Sequence, residues 1–244
     1  MVPRKITSLQ HPLVKRLVKI RLDKEARLNE QSVLIVGVKL VEEIAQNSPL
    51  KTLITDKPYP HLQAKEVFEA TPEILKKITG LTSPEGVAAE VALPKDADLH
   101  KARYILALDN VSDPGNVGTL LRTALALGWE GAFLLPGTAD PFNEKALRAA
   151  KGATFRLPMA QGDMEEFKKV CAGKKIFVAD LAGKAPAPTS APLVLILGSE
   201  AHGPSQELKK IAAPISIPMP GAMESLNVAI AGAILMHVLK SPPK

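Results

Sequence analysis

A single cysteine, Cys171, stands in 244 residues. With no second thiol the chain forms no internal disulfide, which points to a reducing, intracellular setting. No run of 18 apolar residues occurs, the Ala/Gly-rich segment near the C-terminus being broken by polar groups, so no membrane span is expected. "MVPRKITSLQHPLVKRL" has neither the unbroken apolar core nor the small-residue cleavage site of a signal peptide, and a cytoplasmic location follows as the expectation. There is no G-x-x-x-x-G-K-[ST] loop, no G-x-G-x-x-G after a strand and no G-x-S-x-G elbow, which excludes the common nucleotide-binding and serine-hydrolase solutions. One cysteine and the scattered His11, His61, His100, His202 and His237 give no zinc spacing, so no metal is expected. Aromatic residues make up 4%. With so few rings, stacking on bases is not the main way this chain would grip a nucleic acid; shape and phosphates are the better handles.

What is present is apolar and mildly basic. Hydrophobic residues reach 46% and the net charge is +6. The excess is uneven: residues 1–30 hold Arg4, Lys5, Lys15, Arg16, Lys19, Arg21, Lys24 and Arg27 against Asp23, Glu25 and Glu30. In "HPLVKRLVKIR" Leu13, Leu17 and Ile20 recur at helical spacing, and Lys15, Arg16 and Lys19 fall largely off that stripe. Two readings stay open: a docked helix with a solvated face, or an arm on a phosphate backbone with Lys15, Arg16 and Lys19 as its contacts.

The first half alternates strands ("SVLIV", "KTLITD", "AKEVFEAT", "EGVAAEVALP") with helices ("GVKLVEEIAQN", "PEILKKIT"), which predicts a layered α/β domain. The polar stretch "LPKDADLHKAR" follows. We place a boundary there: a domain over 1–93, a linker over 94–102 and a second domain over 103–244. The second half alternates again, from "YILALD" and "NVGTLLRTALAL" to "LVLILG", "PSQELKKIA", "ISIPM" and "ESLNVAIAGAILMHVL". A mostly parallel sheet with helices on both faces is expected. Ligands of such sheets bind beyond the C-terminal strand ends, where residues 109–118, 198–205 and 218–227 are rich in Gly, Asn, Ser and Glu.

In the first loop Asn116 has the chemistry of a helix N-cap, with Val117, Leu120, Leu121, Ala124 and Leu125 as the buried stripe. Gly118 and Arg122 lie four apart, and a helical side chain leans toward the N-terminus, over the glycine. Gly118 then reads as room for a ligand beside an arginine and a positive helix end; an arginine paired to a surface carboxylate is the plainer alternative. In the second loop Gly198 ends a buried strand and Glu200 follows, able to accept backbone N–H groups or to orient Arg122. Pro204 suits a helix start, with Gly203 or Ser205 near the cap, and His202 is either a base or a turn residue. In the third, Ser225 is expected to cap the last helix, next to Glu224, and Asn227 to sit one turn inside. The residues alone support an α/β protein with an anionic or RNA ligand.

Together, "NVSDPGNVGTLLRTA", "LILGSEAHGPS" and "IPMPGAMESLNVAIAGAIL" resemble the three motifs of the SpoU/TrmH family of RNA ribose 2′-O-methyltransferases, in the SPOUT superfamily, in order and spacing through residues 103–240. "LRAAKGATFRLP" resembles a further family element. "ITSLQHPLVKRL" and "EGVAAEV" resemble, more loosely, the family's N-terminal RNA-binding domain. Val36, Ala150 and Pro204 depart from the family pattern. The resemblance implies a C-terminal sheet with a trefoil knot, S-adenosylmethionine as cofactor, and a homodimer with its active site near the subunit interface. It implies catalytic roles for Arg122, Asn116, Glu200, Ser225 and Asn227, with Glu200 orienting Arg122. Gly198, Ser199, Ile217, Met219, Ser225 and Leu226 would bind the cofactor, mostly by backbone. A guanidinium holds its proton throughout the physiological range. Arg122 is therefore expected to grip phosphate or a forming alkoxide, the base being left open. The implied substrate is RNA, ribosomal RNA ahead of transfer RNA; a catalytically silent RNA-binding or assembly factor is the alternative of another class.

Overall fold

The computed structural model describes residues 3–221 and 225–240. The chain divides into two compact units, Met1–Pro94 with Phe142–Glu144, and Lys95–Pro141 with Lys145–Lys244.

The first unit is built on a mixed five-stranded sheet. Its strands are β1 (Arg4–Ile6), β2 (Ser32–Val36), β3 (Leu50–Thr55), β4 (Ala64–Ala70) and β5 (Val87–Ala92), in the order β1-β4-β3-β5-β2. β5 runs antiparallel to both neighbours, while β1, β3 and β4 are parallel. The expected strands and helices form; β1, three residues long, carries no alternation for sequence reading to find. On one face lie α1 (Pro12–Leu22) and α4 (Pro72–Thr79), with Val14, Leu17, Ile20, Ile74 and Ile78 packed on Leu34, Ile54 and Ala88. The inward stripe of α1 is Val14, Leu17 and Ile20, one residue off the expected start at Leu13. The helix begins at His11, whose Nδ1 accepts from the Leu13 N–H at 3.2 Å, with Pro12 pre-set for the first turn. A second short helix, α2 (Lys24–Glu30), is capped by Asp23, and α3 (Val38–Ala45) follows β2.

A six-stranded, wholly parallel sheet forms the second unit. Its strands are β6 (Tyr104–Leu108), β7 (Gly131–Leu134), β8 (Met159–Gln161), β9 (Lys175–Lys184), β10 (Leu193–Leu197) and β11 (Ala213–Ile215), in the order β11-β9-β10-β6-β7-β8. Alternation sorts its side chains. Ile105, Ala107, Val194, Ile196 and Val178 share a core with Phe167 and Val170 of α7 (Met164–Cys171) and Leu208 of α8 (Gln206–Ile211). The opposite parity carries Leu197 toward α5 (Pro114–Ala126) and α9 (Val228–Leu239). A Cβ on Gly232 would stand 2.4 Å from a Leu120 methyl and 2.5 Å from a Leu197 methyl, so a larger residue would have to displace both leucines for α9 to settle there. The far end of α9 is tied down as well: Trp129 donates its indole N–H to the Met236 carbonyl, and the Lys240 ammonium donates to the carbonyls of Leu127 and Gly128 at the end of α5.

Chain order fixes where a site can form. From β6 the chain passes to β7 on one side; from β10, β6's other neighbour, it passes through α8 to β11 on the opposite side. The β6/β10 boundary is thus a topological switch point, where the two loops part and leave a crevice beyond the strand ends. β9 contributes a distortion of its own. Pro214 of β11 is opposite Val178, but Ile215 is opposite Lys184, so residues 179–183 of β9 bulge out of register.

Candidate active site

Each loop's local chemistry positions one part of the site. After β6, Pro114 occupies the first helical turn of α5, so the residue before it, Asp113, is the cap; its Oδ1 accepts from the Asn116 N–H at 2.9 Å. Asn116 is therefore not the cap the sequence suggested. Freed from that task, its side-chain amide faces the other loops. Asp113 also pairs with Lys145 at 2.6 Å, and its carboxyl is held below the usual range by Lys145 first and by the Asn116 N–H next.

After β10 the chain turns sharply. A Cβ on Gly198 would lie 2.2 Å from the Pro204 nitrogen, so glycine is required where residues 199–203 fold back on the strand end. The turn is closed by the Gly203 N–H donating to the Ser199 carbonyl at 2.8 Å. Pro204 is buried just ahead of the α8 cap, Ser205, whose N–H donates to Asp109 Oδ2 at 2.8 Å and so joins the second loop to the first.

Glu200 is exposed at the tip and accepts from both sides. Asn116 Nδ2 donates to its Oε1 at 2.9 Å; the Ser112 N–H and hydroxyl donate to its Oε2 at 3.2 and 3.3 Å. Partial burial raises the carboxyl's pKa, but the hydrogen bonds from Asn116 and the backbone outweigh it and the net shift is downward. Glu200 is thus an anion whose bonds go to Asn116 and Ser112. It makes no hydrogen bond or ion pair with Arg122 among the described residues, against the expectation that it orients the arginine.

The third loop completes the chain of bonds. The cap of α9 is Asn227, whose Oδ1 accepts from the N–H groups of Ala229 and Ile230 at 2.9 and 3.3 Å. Ser225, the cap expected from sequence, lies exposed in irregular chain two residues earlier. Glu224, read beside it, lies outside the described residues. With its oxygen committed to the helix, Asn227 turns its Nδ2 to Asn116 Oδ1 at 3.2 Å. The series Ser112–Glu200–Asn116–Asn227 therefore staples all three loops together, and each amide is oriented by the partner on its other side.

Beside this series opens a cleft of about 620 Å³, within the range of small-molecule sites. Its apolar part is made by Leu197, Ile215, Ile217, Leu226 and Leu235, its polar part by Ser199, Glu200, His202, Ser225 and Asn227, and Gly198 and Met219 also line it. All six residues expected to bind the cofactor are therefore at one cleft. Sequence reading missed Ser112, Asp180 and Lys209. Asp180 sits in the β9 bulge and meets Lys209 of α8 at 2.6 Å, and both line the same cleft. A polar residue ending the run "KIFVAD" at a strand's C-terminal side was the available signal.

Arg122 stands apart. It is exposed on α5, does not line the cleft, and makes no hydrogen bond or ion pair among the described residues. Gly118 does not make room for a ligand beneath it: a Cβ there would lie 2.2 Å from the Ala146 carbonyl, so the glycine serves the packing of α5 against α6 (Glu144–Ala150). In the first unit, Arg16 is likewise not the free cation the basic helix suggested. Its guanidinium donates to both carboxylate oxygens of buried Glu90 at 3.0 and 2.6 Å and to Glu30 at 3.1 Å. Lys15 and Lys19 remain exposed.

Three loops, crossing at a switch point beside a cleft with one apolar and one polar wall, have the architecture of a nucleoside-cofactor enzyme of the parallel α/β class. The sequence signature of the SpoU rRNA Methylase family matches residues 103–237, and that of an MRM3-like substrate binding domain matches residues 11–89. The chain belongs to the SpoU rRNA methylase family. It is 32% identical to the 23S rRNA (guanosine(2553)-2'-O)-methyltransferase RlmP of Bacillus subtilis (strain 168), over 97% of this chain and 99% of that protein. Against the 23S rRNA (adenosine(1067)-2'-O)-methyltransferase of Streptomyces laurentii the identity is 34%, over 62% of this chain and 60% of that one. Among solved structures, the AdoMet-bound rRNA methyltransferase from Sinorhizobium meliloti superposes with a TM-score of 0.86 at 31% identity, covering 96% of this chain and 95% of that chain.

Proposed function

We propose that this protein transfers a methyl group from S-adenosylmethionine to a ribose 2′-hydroxyl of ribosomal RNA. The observation that carries the reading is the hydrogen-bonded series Glu200–Asn116–Asn227 along the edge of the cleft. The donor set fits the cofactor. The apolar wall at Leu197, Ile217 and Leu226 suits a purine, and the folded-back strand end at Gly198 and Ser199 offers backbone polar groups to a ribose. When bound, S-adenosylmethionine supplies an activated methyl on a cationic sulfur.

The protein's share is alignment and management of one proton. Asn116 and Asn227 are held by bonds on both sides, so neither has to reorganise as the ribose oxygen arrives. Glu200, anionic and already accepting three bonds, fixes Asn116. Arg122 acts from outside the cleft of its own chain, stabilising phosphate or the developing alkoxide. We further propose a homodimer: Ile230 and Ile234 are 54% and 38% exposed one turn apart on α9, and Leu226, just before the helix cap, is 39% exposed and also borders the cleft. A second chain on that stripe comes to the cleft's rim. The knot belongs to the same reading. Residues 1–93, a linker over 94–102 and residues 103–244 are the proposed division of labour, the first holding RNA and the last performing the transfer.

Tritiated S-adenosylmethionine incubated with ribosomal RNA lacking this modification is expected to label one ribose, mapped by mass spectrometry of nuclease fragments. Label on transfer RNA alone, or none on any RNA, overturns the substrate assignment. Mixing inactive Arg122→Ala and Asn227→Ala chains is expected to restore activity, because one site of the mixed dimer then keeps both groups. Silence of the mixture, with dimers present, places Arg122 at its own chain's cleft.

A further inference from the structure

The cleft contains an ion pair that the methyl-transfer chemistry leaves unused. Lys209, in the last turn of α8, meets Asp180 Oδ2 at 2.6 Å, and the side chains are 33% and 17% exposed. The β9 bulge, marked by the register jump from Val178 to Lys184, brings Asp180 to the cleft wall instead of leaving it in the ladder. Asp180 Oδ1 is anchored by the Ala182 N–H at 3.0 Å. Each partner keeps free capacity, since an ammonium has three donors and a carboxylate about four acceptor positions. Among the described residues that line the cleft, Lys209 is the only lysine or arginine.

That asymmetry has a match in the ligand. S-adenosylmethionine carries one negative group, the α-carboxylate, with an α-ammonium beside it on the same carbon. We propose that the Asp180–Lys209 pair is the subsite for this amino-acid zwitterion, with Lys209 taking the carboxylate and Asp180 the ammonium. The inference rests on the proposed placement of the cofactor in this cleft and adds a residue-level assignment to it. Two opposite charges in hydrogen-bond contact, held by the bulge and the helix, complement two opposite charges on one carbon of the ligand. Charge-assisted hydrogen bonds of this kind are the stronger class.

Titration calorimetry on the full chain tests it with a ligand series. S-adenosylmethionine and S-adenosylhomocysteine carry the zwitterion, decarboxylated S-adenosylmethionine lacks only the carboxylate, and 5′-methylthioadenosine lacks the amino-acid group. Lys209→Met is expected to weaken the first two by about tenfold or more and to leave the last two within about twofold. Asp180→Asn should weaken every ligand bearing the ammonium and spare 5′-methylthioadenosine. Equal loss across the series in Lys209→Met, or no loss, overturns the assignment; a melting curve matching the parent shows that the variant is folded. The unaltered chain provides a second reading, because decarboxylated cofactor must bind it more weakly than the intact one. Should the unaltered chain bind none of the four, the cofactor reading fails first and this subsite with it.

Discussion

In the first unit a carboxylate sits inside the sheet. Glu90, in the middle of β5, is 2% exposed and takes both nitrogens of Arg16, the Thr52 hydroxyl and the influence of Ser32. In the second unit the interior strand β10 is Leu-Val-Leu-Ile-Leu, buried from end to end, and polar groups begin only where the strand stops. The first arrangement uses charge to tie a helix to the sheet. The second keeps the interior silent and places charge and amides at the sheet's C-terminal edge, where a ligand can reach them. Polar residues of one kind thus hold a helix to the sheet in one half and border an open cleft in the other, and substitutions should separate the two.

The largest effect is expected at the edge. Asn116→Asp sets a carboxylate against Glu200 and deletes the donor that joins them, so kcat should fall by about 100-fold or more through misplacement alone, with the melting temperature nearly unmoved. A variant that still turns over at the parental rate would remove the amide series from the mechanism. Arg16→Ala should do the reverse, leaving catalysis by folded protein intact while costing about 2–3 kcal/mol in urea unfolding, since Glu90 stays buried without its partner and Arg16 itself is only partly enclosed. Burial pushes the Glu90 carboxyl up, but Arg16, Ser32 and Thr52 bring it net below its ordinary 4.5. Its stabilising contribution is then present above that value and lost as pH falls through the lower folded value. The gap between parent and Arg16→Ala should accordingly close in acid; a gap that widens below pH 4 would contradict this sign.

A smaller effect is expected on RNA binding. Replacing both Lys15 and Lys19 with Ala should reduce the slope of log affinity against log salt by about 1–2, whereas Arg16→Lys should leave the slope alone because that guanidinium is already spent on carboxylates. Equal slopes for the Lys15/Lys19 variant and the parent would return this helix to a plain docked role. The smallest effect on stability is expected at the start of α9: Asn227→Ala should cost about 1 kcal/mol as a lost cap and Ser225→Ala only a few tenths, read by thermal unfolding.

The same contrast explains what could be read ahead of the structure. Alternation and turn residues marked the strands and helices of both units, and the three loops were visible because Gly, Asn, Ser and Glu crowd where a strand run ends. Caps were misplaced twice, at Asn116 for Asp113 and at Ser225 for Asn227. Asp, Asn and Ser share the same capping chemistry, and only the position of Pro114 distinguishes the first pair. The pairing of Arg16 was not legible because nothing in "EGVAAEVALP" tells a buried glutamate from one on a solvated strand; its partner lies 74 residues away. Gly118 misled for a similar reason, its close neighbour being a carbonyl of another helix. Asp180 depends on a register jump between β9 and β11, and pairing registers are not written in either strand alone.

The strand order has a temporal consequence. β10 lies between β6 and β9, both of which precede it in the chain. As the polypeptide leaves the ribosome, the central place of the second sheet must wait for β10 to be inserted between partners already made. Two of the three loops belong to segments made later still than β9. Catalytic competence therefore arises at the close of folding, and a nascent chain holding everything up to Gly183 would carry a sheet with no means of acting on RNA.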